Sequence, residues 1–471
     1  MTSPSELRLP AAHPPRANGP AWKIAEAAAD PAAVSNEIRA MVINRIIDNA
    51  AVAAAAARRH SVALARAQAR PHRRTPGAAI FGIQGAYSAE WAALANSVAV
   101  QDLELHDVFP AAEDAHPGAA IPALTAVAQQ AGLRGADLVN GIATAYDVHL
   151  ALAQQTHSRQ QVVGHPGPLS TAVTAGLGAM LRLSPATIYT ALTHTVQLTA
   201  RGRNGYAAAY AGKVAIEAVD RAVHGERYPD PPEGHGHDWP LTDRDCRTRL
   251  PEPGEPRTAI LNSCPRRHPA AYSVQAWIDL ALKMRDRIGR VETIDSIVLH
   301  TRQDTDPMAV PGDSRLSDHQ ESRDVLAHSV AYLFAVALQD GAVHHEQSYT
   351  SERAQRADTV DLRRQISFAE NAAERTLGAR ATITMKSGAV IDDELAVPYA
   401  HPRGAHPFRR NDYVAKFTEL ADGIIDRREQ QRFLDVATCL VDLKRGTLGM
   451  LNPLISQHIL DDAPSTHGIF A

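Results

Sequence analysis

The sequence predicts a mainly α-helical protein with a smaller α/β domain inserted into it. Apolar residues recur at helical spacing from Ile24 to about Ala222, whereas alternating β patterns are confined to 290–302 and 379–397. Helical patterns return after residue 401. We therefore expect a large all-helical domain formed by the N-terminal half and the C-terminal tail, with an α+β lid domain between them.

The expected boundaries follow changes in composition. The first 20 residues are rich in Pro, Ser and Ala and lack the apolar segment of a signal peptide, so we expect a flexible tail. Pro and Gly are concentrated between Tyr228 and Pro256, which indicates a connector. The predicted divisions are a tail at 1–20, a helical domain at 21–262, an α/β lid at 263–400 and a C-terminal return at 401–471.

Individual helices are predicted from periodicity and end signals. The run from Ile38 to His60 repeats apolar residues at helix spacing, and Gly135–Ala153 carries an apolar stripe. Ser184 precedes Pro185, which predicts an N-cap followed by proline at the first helical position. Further helices are expected at 86–98, 122–131, 171–183, 184–198, 212–224, 272–288, 324–338, 412–423 and 429–440.

The β signals are few. Ile294, Ile297, Leu299 and Thr301 approach strict alternation, which predicts a strand within 290–302. The segment 379–397 places Gly388 between two alternating runs, which predicts a β-hairpin.

Composition excludes several classes of protein. The chain has 471 residues, of which 45% are hydrophobic, and a net charge of −4. That charge gives no reason to expect nucleic acid as a partner, and no apolar run has transmembrane length, so no membrane is expected. Three cysteines without a CxxC pair argue against a disulfide framework, and we expect a cytoplasmic protein.

Three histidine–proline steps stand out as candidate chemistry. His116, His165 and His268 each precede a proline and then an alanine-rich helical run, so each ring is expected at a helix entrance. His116 follows a segment rich in carboxylates that contains His106 and Asp107. A carboxylate beside an imidazole fixes the ring tautomer and raises its basicity, so these residues point to proton transfer.

Several stretches along the chain carry a family resemblance. They are His106–Asp107 continued to His116–Pro117, Gly141–Asp147, His165 with its helix, 211–218 (AGKVAIEA), Arg267–His268, 328–332 (HSVAY), 334–341 (FAVALQDG) and 417–423 (FTELADG). With these segments, from about Ile24 to Phe470, the chain resembles the MmgE/PrpD family, which includes 2-methylcitrate dehydratase and cis-aconitate decarboxylase. The resemblance implies a helical domain capped by an α/β lid, a homodimer, and no cofactor or metal.

The resemblance also implies a reaction. Family members abstract a proton next to a carboxylate and then release water or carbon dioxide. Carried over by position, the catalytic residues are Asp107, His116, His165 and His268, with His268 coming from the lid. We expect His116 and His165 to form the acid–base pair and Asp107 to orient one ring. The expected activity is cofactor-independent elimination of water from a hydroxy-carboxylate of the 2-methylcitrate type.

A separate set of residues is expected to bind the substrate. Arg203 and Arg266 are candidate carboxylate clamps, because a guanidinium matches a carboxylate bidentately. Tyr332 is carried over from the family, and Tyr206 and Asn262 complete the set. Many members have lysines where this chain has Ala207 and Asn262, which indicates a less anionic or bulkier substrate, such as a citrate with a longer alkyl chain.

Other interpretations of single motifs stay open. Gly234–Asp238 contains a His-x-His pattern that can bind a transition metal, although no distant partner is identified. His344–Glu346 resembles a ligand cluster but follows a helix end, which favours a structural role. Cys264 could act as a nucleophile or fill the core as a small thiol. Lys213 is expected to be structural.

Alternative functions also remain. An epimerase or isomerase needs two bases across one carbon and no acid for a leaving group, and a decarboxylase releases carbon dioxide instead of water. A descendant without activity would serve as a binding or assembly protein.

Overall fold

The computed structural model describes residues 19–111, 114–154, 167–198, 205–226, 250–301, 322–370 and 377–461. Within these ranges the chain is mainly helical, with one mixed four-stranded sheet. The prediction of a mainly helical protein with a small α/β part is therefore confirmed. No single helix in the described ranges is long and apolar enough to cross a membrane; only the neighbouring helices Asn36–Ala55 and His60–Ala69, bent by 105°, reach that length together.

The described chain contains the following helices and strands. The helices are α1 (Pro20–Ala29), α2 (Asn36–Ala55), α3 (His60–Ala69), α4 (Ala89–Gln101), α5 (Ile121–Gln130), α6 (Gly135–Ala153), α7 (Gly167–Leu181), α8 (Pro185–Leu198), α9 (Gly205–Val223), α10 (Tyr272–Ile288), α11 (Arg323–His328), α12 (Val330–Asp340), α13 (Ser351–Ala354), α14 (Ala357–Arg364), α15 (Arg410–Leu420), α16 (Arg427–Thr438) and α17 (Gln457–Asp461). The strands are β1 (Arg73–Ala78), β2 (Ile294–Thr301), β3 (Ile366–Glu370), β4 (Ala379–Met385) and β5 (Val390–Leu395).

The chain divides into two compact units. The first comprises 1–102, 106–263 and 410–471, and the second comprises 103–105 and 264–409. The second unit extends past the predicted end at residue 400. Its last segment folds back on itself, because the amide of His406 donates to the carbonyl of Tyr399, whose own amide donates to Asp279 of α10.

Helix α6 of the first unit carries several polar residues and lies very close to α7. A Cβ atom on Gly176 would lie 2.6 Å from the carbonyl oxygen of Gly141, so only glycine allows this approach. Arg134 and Asp137 fix the start of α6, where the carboxylate accepts from the backbone and side chain of Arg134. The close approach of α6 to α7 therefore fixes the positions of Tyr146 and His149, which lie on α6.

Helix α2 of the first unit is largely buried and contains charged residues. Ser35 caps it by accepting a hydrogen bond from the amide of Ile38, which satisfies one amide of the first turn. Its buried residues include Arg45 and Asp48 beside the apolar ones. Because a buried charge is costly unless it is paired, these two residues predict partners elsewhere in the unit.

The sheet of the second unit has the order β3-β2-β4-β5. Strand β2 pairs in parallel with β3 and antiparallel with β4, and β4 and β5 form the predicted hairpin. Buried side chains of α10 and α12 share one apolar core with those of the sheet. This core fixes α10, which carries the buried Asp279.

Three features differ from the sequence predictions. The first unit is not entirely helical, because β1 forms bridges to Tyr87; its Pro76 and Gly77 break the alternation that marks a strand. The helix predicted at 324–338 is split at Ser329, whose side chain caps α12. Strand β3 was not predicted, since five residues are too few to establish a period.

Candidate functional site

A closed loop brings the residues around Asp107 and His116 together in the first unit. Phe109 and Ala115 exchange two backbone hydrogen bonds, 2.7 and 3.0 Å long, so the chain reverses between them. His106 and His116 lie on either side of this loop, and their ring centroids are 5.2 Å apart. His116 directly precedes the 3-10 helix Pro117–Ala120, which leads into α5, so its ring does lie at a helix entrance.

The carboxylate of Asp107 is fully buried and held by two side chains. Its Oδ2 lies 3.3 Å from Nε of Arg45 and accepts a hydrogen bond of 3.0 Å from the hydroxyl of Tyr146. Burial raises the pKa of Asp107, and the charge of Arg45 opposes that rise. Burial likewise raises the pKa of the Tyr146 hydroxyl, which keeps it a donor to Asp107.

Gly118 allows the backbone to approach this carboxylate. A Cβ atom on Gly118 would lie 2.2 Å from Oδ1 of Asp107 and 3.2 Å from Oδ1 of Asn49. The side chain of Asn49 donates to the carbonyl of Gly118 at 2.9 Å, which fixes the backbone at this distance. The position of Asp107 is therefore set from three sides, by Arg45, Tyr146 and the Gly118 backbone.

The C-terminal part of the chain supports the same buried cluster. Arg45 donates to the hydroxyl of Tyr413 at 3.0 Å and to the carbonyl of Ser263 at 2.7 Å. Lys416, one turn after Tyr413 on α15, donates to the fully buried Asp48 at 2.7 Å. Helices α2 and α15 are thus joined by buried charged groups beneath Asp107.

A narrow recess lies beside this cluster. Its walls include Phe109, Ala115, Pro117, Tyr146, His149 and Ser263. Tyr146 and His149 face it together, because residues three apart share one side of a helix. Burial, and in second place the neighbouring His116, lower the pKa of His149 to about 3, so this imidazole is neutral at physiological pH.

A second pairing of imidazole and carboxylate lies in the second unit. Nε2 of His268 is 2.9 Å from Oδ1 of Asp279, and both side chains are buried. The backbone of His268 is held by Gln275, whose side chain both accepts from and donates to this loop. Asp279 fixes the imidazole orientation and favours the tautomer with its proton on Nε2.

The other predicted residues of the second unit already have protein partners. The buried Arg266 donates to the carboxylate of Glu104 at 3.0 Å and to its main-chain carbonyl at 2.7 Å. The hydroxyl of Tyr332 donates to the carbonyl of Ser348 in the core. A guanidinium that holds one carboxylate has the geometry to hold another.

Of the remaining predicted residues, Tyr206 and Asn262 are among those that the structure describes. Tyr206 donates from its hydroxyl to the carbonyl of Ser61 at 3.1 Å, and Asn262 is exposed at the end of a 3-10 helix. His165 and Arg203 lie outside the described residues, as does the motif Gly234–Asp238.

Two residues singled out in the sequence, Lys213 and His344, contact neighbouring protein groups. Lys213 lies over the ring of Trp91, with Nζ 3.2 Å from its centroid. His344 accepts the amides of Glu346 and Gln347 on Nδ1, so it shapes the turn. Within the described ranges, no three His, Cys, Asp or Glu side chains are placed to hold a metal ion.

Sequence reasoning missed Arg45, Tyr146, His149 and Asp279. Arg45 had a visible signal, since it is a charge within an apolar helical run. Tyr146 and Asp279 lie in predicted helices, but their partners are 39 and 11 residues away, and helix periodicity gives no information on such pairs.

Comparison with known protein families agrees with this picture over most of the chain. The model of the MmgE/PrpD N-terminal domain matches residues 21–231, and the model of the MmgE/PrpD C-terminal domain matches residues 268–442. The first match contains Asp107, His116 and Tyr146, and the second contains His268 and Asp279. The chain belongs to the MmgE/PrpD family.

Proposed function

We propose that the protein is a cofactor-independent lyase that eliminates water from a hydroxy-carboxylate of the 2-methylcitrate (alkylcitrate) type. Its family is known for dehydratase and lyase activity. The observation that carries the proposal is the loop that brings His106 and His116 within 5.2 Å, beside the buried carboxylate of Asp107. Imidazoles next to a fixed carboxylate are suited to moving protons.

The proposed reaction has two proton transfers. One imidazole takes the proton from the carbon next to a substrate carboxylate, and the electron pair of that bond forms the alkene. The bond between carbon and hydroxyl breaks, and the second imidazole protonates the departing oxygen, so water leaves. We assign these roles to His116 and His165. Arg45 and Tyr146 both contact the carboxylate of Asp107, so this carboxylate stays in one position.

In the second unit we propose His268 as a further acid–base group. Asp279 orients its ring at 2.9 Å, an arrangement that stabilises an imidazolium after proton uptake.

Substrate binding is assigned to Arg203, Tyr206, Asn262, Arg266 and Tyr332. Arg266 can bind a substrate carboxylate if that group replaces the carboxylate of Glu104, which is partly exposed to solvent. Tyr332 would have to exchange its bond to Ser348. We therefore rank Arg266 above Tyr332 as a substrate contact.

A related substrate is the second candidate. Ala207 and Asn262 replace lysines that are common in the family, which removes positive charge that would face a tricarboxylate. A longer-chain alkylcitrate, or a less anionic hydroxy acid, fits this loss. Epimerisation and isomerisation of a related carboxylate use the same first proton abstraction and differ in the following step. Decarboxylation instead breaks the bond between carbon and the carboxylate, and an imidazolium then protonates the carbon that CO2 has left.

One experiment separates these reactions. The purified protein is incubated in deuterated buffer with 2-methylcitrate, with a longer-chain alkylcitrate and with cis-aconitate, and the products are followed by proton NMR. A dehydratase forms an alkene from an alkylcitrate, an epimerase incorporates deuterium into recovered substrate, and a decarboxylase converts cis-aconitate with release of carbon dioxide. No change in any substrate would contradict the proposed function.

A further inference from the structure

A cavity of about 450 Å³ in the first unit takes no part in the proposed chemistry. Its lining comes from residues 70–87, which follow α3, and from residues 454–460, which lead into α17. None of these residues belongs to the cluster around Asp107. Small-molecule sites in proteins have volumes of roughly 300–1,000 Å³, so this cavity has room for a small organic ligand.

Hydrogen bonds between the two segments hold the apolar wall of this cavity in place. The amide of Ile455 donates to the carbonyl of Gly82 at 2.9 Å, and the amide of Gly82 donates to Oδ1 of Asn452 at 3.2 Å. The side chain of Asn452 also donates to the carbonyl of Ile83 at 3.0 Å. Ile83 and Ile455 are both buried and both line the cavity, so the wall is formed before any ligand binds.

The charged side chains that line the cavity are all positive. They are Arg70 and Arg73, and the other polar groups of the lining are the amides of Gln84 and Gln457 and the hydroxyl of Tyr87. Among the described residues, neither arginine forms an ion pair or donates a side-chain hydrogen bond. The guanidinium carbon of Arg73 lies 5.5 Å from the ring centroid of Tyr87, which places this cation beside the apolar wall.

Arg70 also belongs to a local excess of positive charge. Arg66, one turn earlier on α3, is buried, and burial followed by the charge of Arg70 lowers its pKa to about 10. Arg74 adds an exposed positive charge on β1. A bound anion would reduce this repulsion, and guanidinium groups are well suited to carboxylates and phosphates because they donate several hydrogen bonds in one plane.

We propose that this cavity binds an amphipathic anion, a small molecule whose apolar chain ends in a carboxylate or a phosphate. Arg70 and Arg73 bind the anionic group, and Ile83, Ile455 and Leu460 contact the chain. The apolar wall favours such a molecule over a free inorganic ion, because burial of the chain adds to the affinity. The site is separate from the proposed catalytic residues and does not depend on the proposed function.

Octanoate and octyl phosphate test the two anionic groups. Calorimetry measures their dissociation constants for the full chain, together with those of 1-octanol and inorganic phosphate, which each carry only half of the required chemistry. At least one octyl anion should bind about tenfold or more tightly than either half, and the tighter one identifies the preferred anionic group. Equal binding of 1-octanol or of inorganic phosphate overturns the proposal, as does the absence of binding.

Variants of the arginines show whether the ligand lies in this cavity. Arg70→Gln and Arg73→Gln should each weaken the tighter octyl anion by about tenfold, since each removes charge-assisted hydrogen bonds. Both side chains are exposed at the cavity edge, so the fold should persist. Arg74→Gln is the matched control, because Arg74 is exposed and does not line the cavity, and it should bind like wild type. Wild-type affinity in the double variant Arg70→Gln with Arg73→Gln overturns the proposal.

Methyl NMR separates this cavity from the proposed catalytic site, which also binds carboxylates. In protein with labelled isoleucine methyl groups, the signals of Ile83 and Ile455 are assigned from the spectra of Ile83→Val and Ile455→Val. Addition of the tighter octyl anion should shift both signals. If the anion shifts only other isoleucine signals, it binds elsewhere, and the proposal is wrong.

Discussion

Nε of Arg45 lies 3.3 Å from Oδ2 of Asp107, and both side chains are completely shielded from solvent. Arg45 also donates to Tyr413 and to the carbonyl of Ser263, so one guanidinium joins α2 to three other parts of the first unit. A buried pair of this kind contributes little net stability compared with apolar residues of the same shape, but the loss of one partner is costly. Its function is to fix Asp107.

Substitution of Arg45 tests this role. Arg45→Leu leaves a buried carboxylate without its cation, and we expect a loss of about 3–5 kcal/mol in the free energy of unfolding. Chemical denaturation followed by circular dichroism measures it. Arg39→Leu on the same helix is the control and should change stability by no more than about 0.5 kcal/mol. Adding Asp107→Leu to Arg45→Leu should restore stability in part, and equal stability of wild type and Arg45→Leu would contradict the role.

The histidine variants test the acid–base assignment. His116→Ala and His165→Ala should each abolish turnover of the substrate found in the product assay while leaving the unfolding transition unchanged, since each removes a proton-transfer group. His60→Ala, on the exposed start of α3, is the control and should keep wild-type activity. Wild-type rates in both His116→Ala and His165→Ala would contradict the assignment of these two residues as the acid–base pair.

Gly118→Ala tests the close approach to Asp107. The added methyl group would lie 2.2 Å from Oδ1 of a carboxylate that Arg45 and Tyr146 prevent from moving. We expect a loss of about 1–3 kcal/mol in stability from overpacking, together with loss of activity. Gly449→Ala is the matched control, because its Cβ meets no atom within 4 Å. If Gly118→Ala has the stability and the reaction rate of wild type, the carboxylate of Asp107 can move away from the added methyl group, and the proposed restraint by Arg45 and Tyr146 is wrong.

The helices could be predicted from sequence because their signals are local. The bounds of α6 and α10 match the predictions, and Ser184 caps α8 as expected, with its side chain accepting from the amide of Thr187. The split at Ser329 was missed because its neighbours continue the apolar period. A capping serine competes with that period, and sequence alone does not show which one prevails.

The candidate site was predicted only in part, because sequence patterns show only the contacts between residues that are close together in the chain. Asp107 and His116 could be identified because they lie in one short motif. Their partners are distant in sequence: Tyr146 is 39 residues away from Asp107, and Tyr413 is 368 residues away from Arg45. Such contacts depend on tertiary packing, which the periodicity of single elements does not encode.

Asp147 predicts a pH dependence of stability. Burial, opposed by the amide of Ala259 and the charge of Arg257, raises its pKa from 3.8 to about 7. The folded protein therefore holds this proton more tightly than the unfolded chain does, and the contribution of Asp147 to stability is largest below about pH 4 and falls as the pH rises to about 7. Asp147→Asn should remove this decline, because an amide still accepts from Ala259 but does not ionise.

The check is the free energy of unfolding between pH 5 and pH 8 for wild type and Asp147→Asn. We expect the variant to gain on wild type as the pH rises, with the difference levelling off above about pH 7. Asp358→Asn is the control, because its exposed carboxylate has a lowered pKa and titrates below this window. Parallel curves for wild type and Asp147→Asn would show that this carboxylate is ionised throughout.

If Arg266 binds a substrate carboxylate, that carboxylate has to compete with Glu104. The carboxylate of Glu104 accepts a hydrogen bond of 3.0 Å from the guanidinium of Arg266. The backbone of Glu104 has a φ of 53°, a left-handed conformation that is unfavourable for residues other than glycine. Glu104→Gln removes the competing charge, so the KM for the carboxylate substrate should fall several-fold. Arg266→Gln should raise it by about tenfold or more, since it loses a charge-assisted bond of about 1.5–3 kcal/mol.

Glu352→Gln, an exposed change in the same unit, is the control and should leave KM unchanged. The double variant Glu104→Gln with Arg266→Gln separates two explanations. If Glu104 acts by occupying Arg266, its substitution has no effect once Arg266 is gone, and the double variant behaves like Arg266→Gln alone. If the fall in KM persists in the double variant, Glu104 acts by another route and Arg266 is not the clamp.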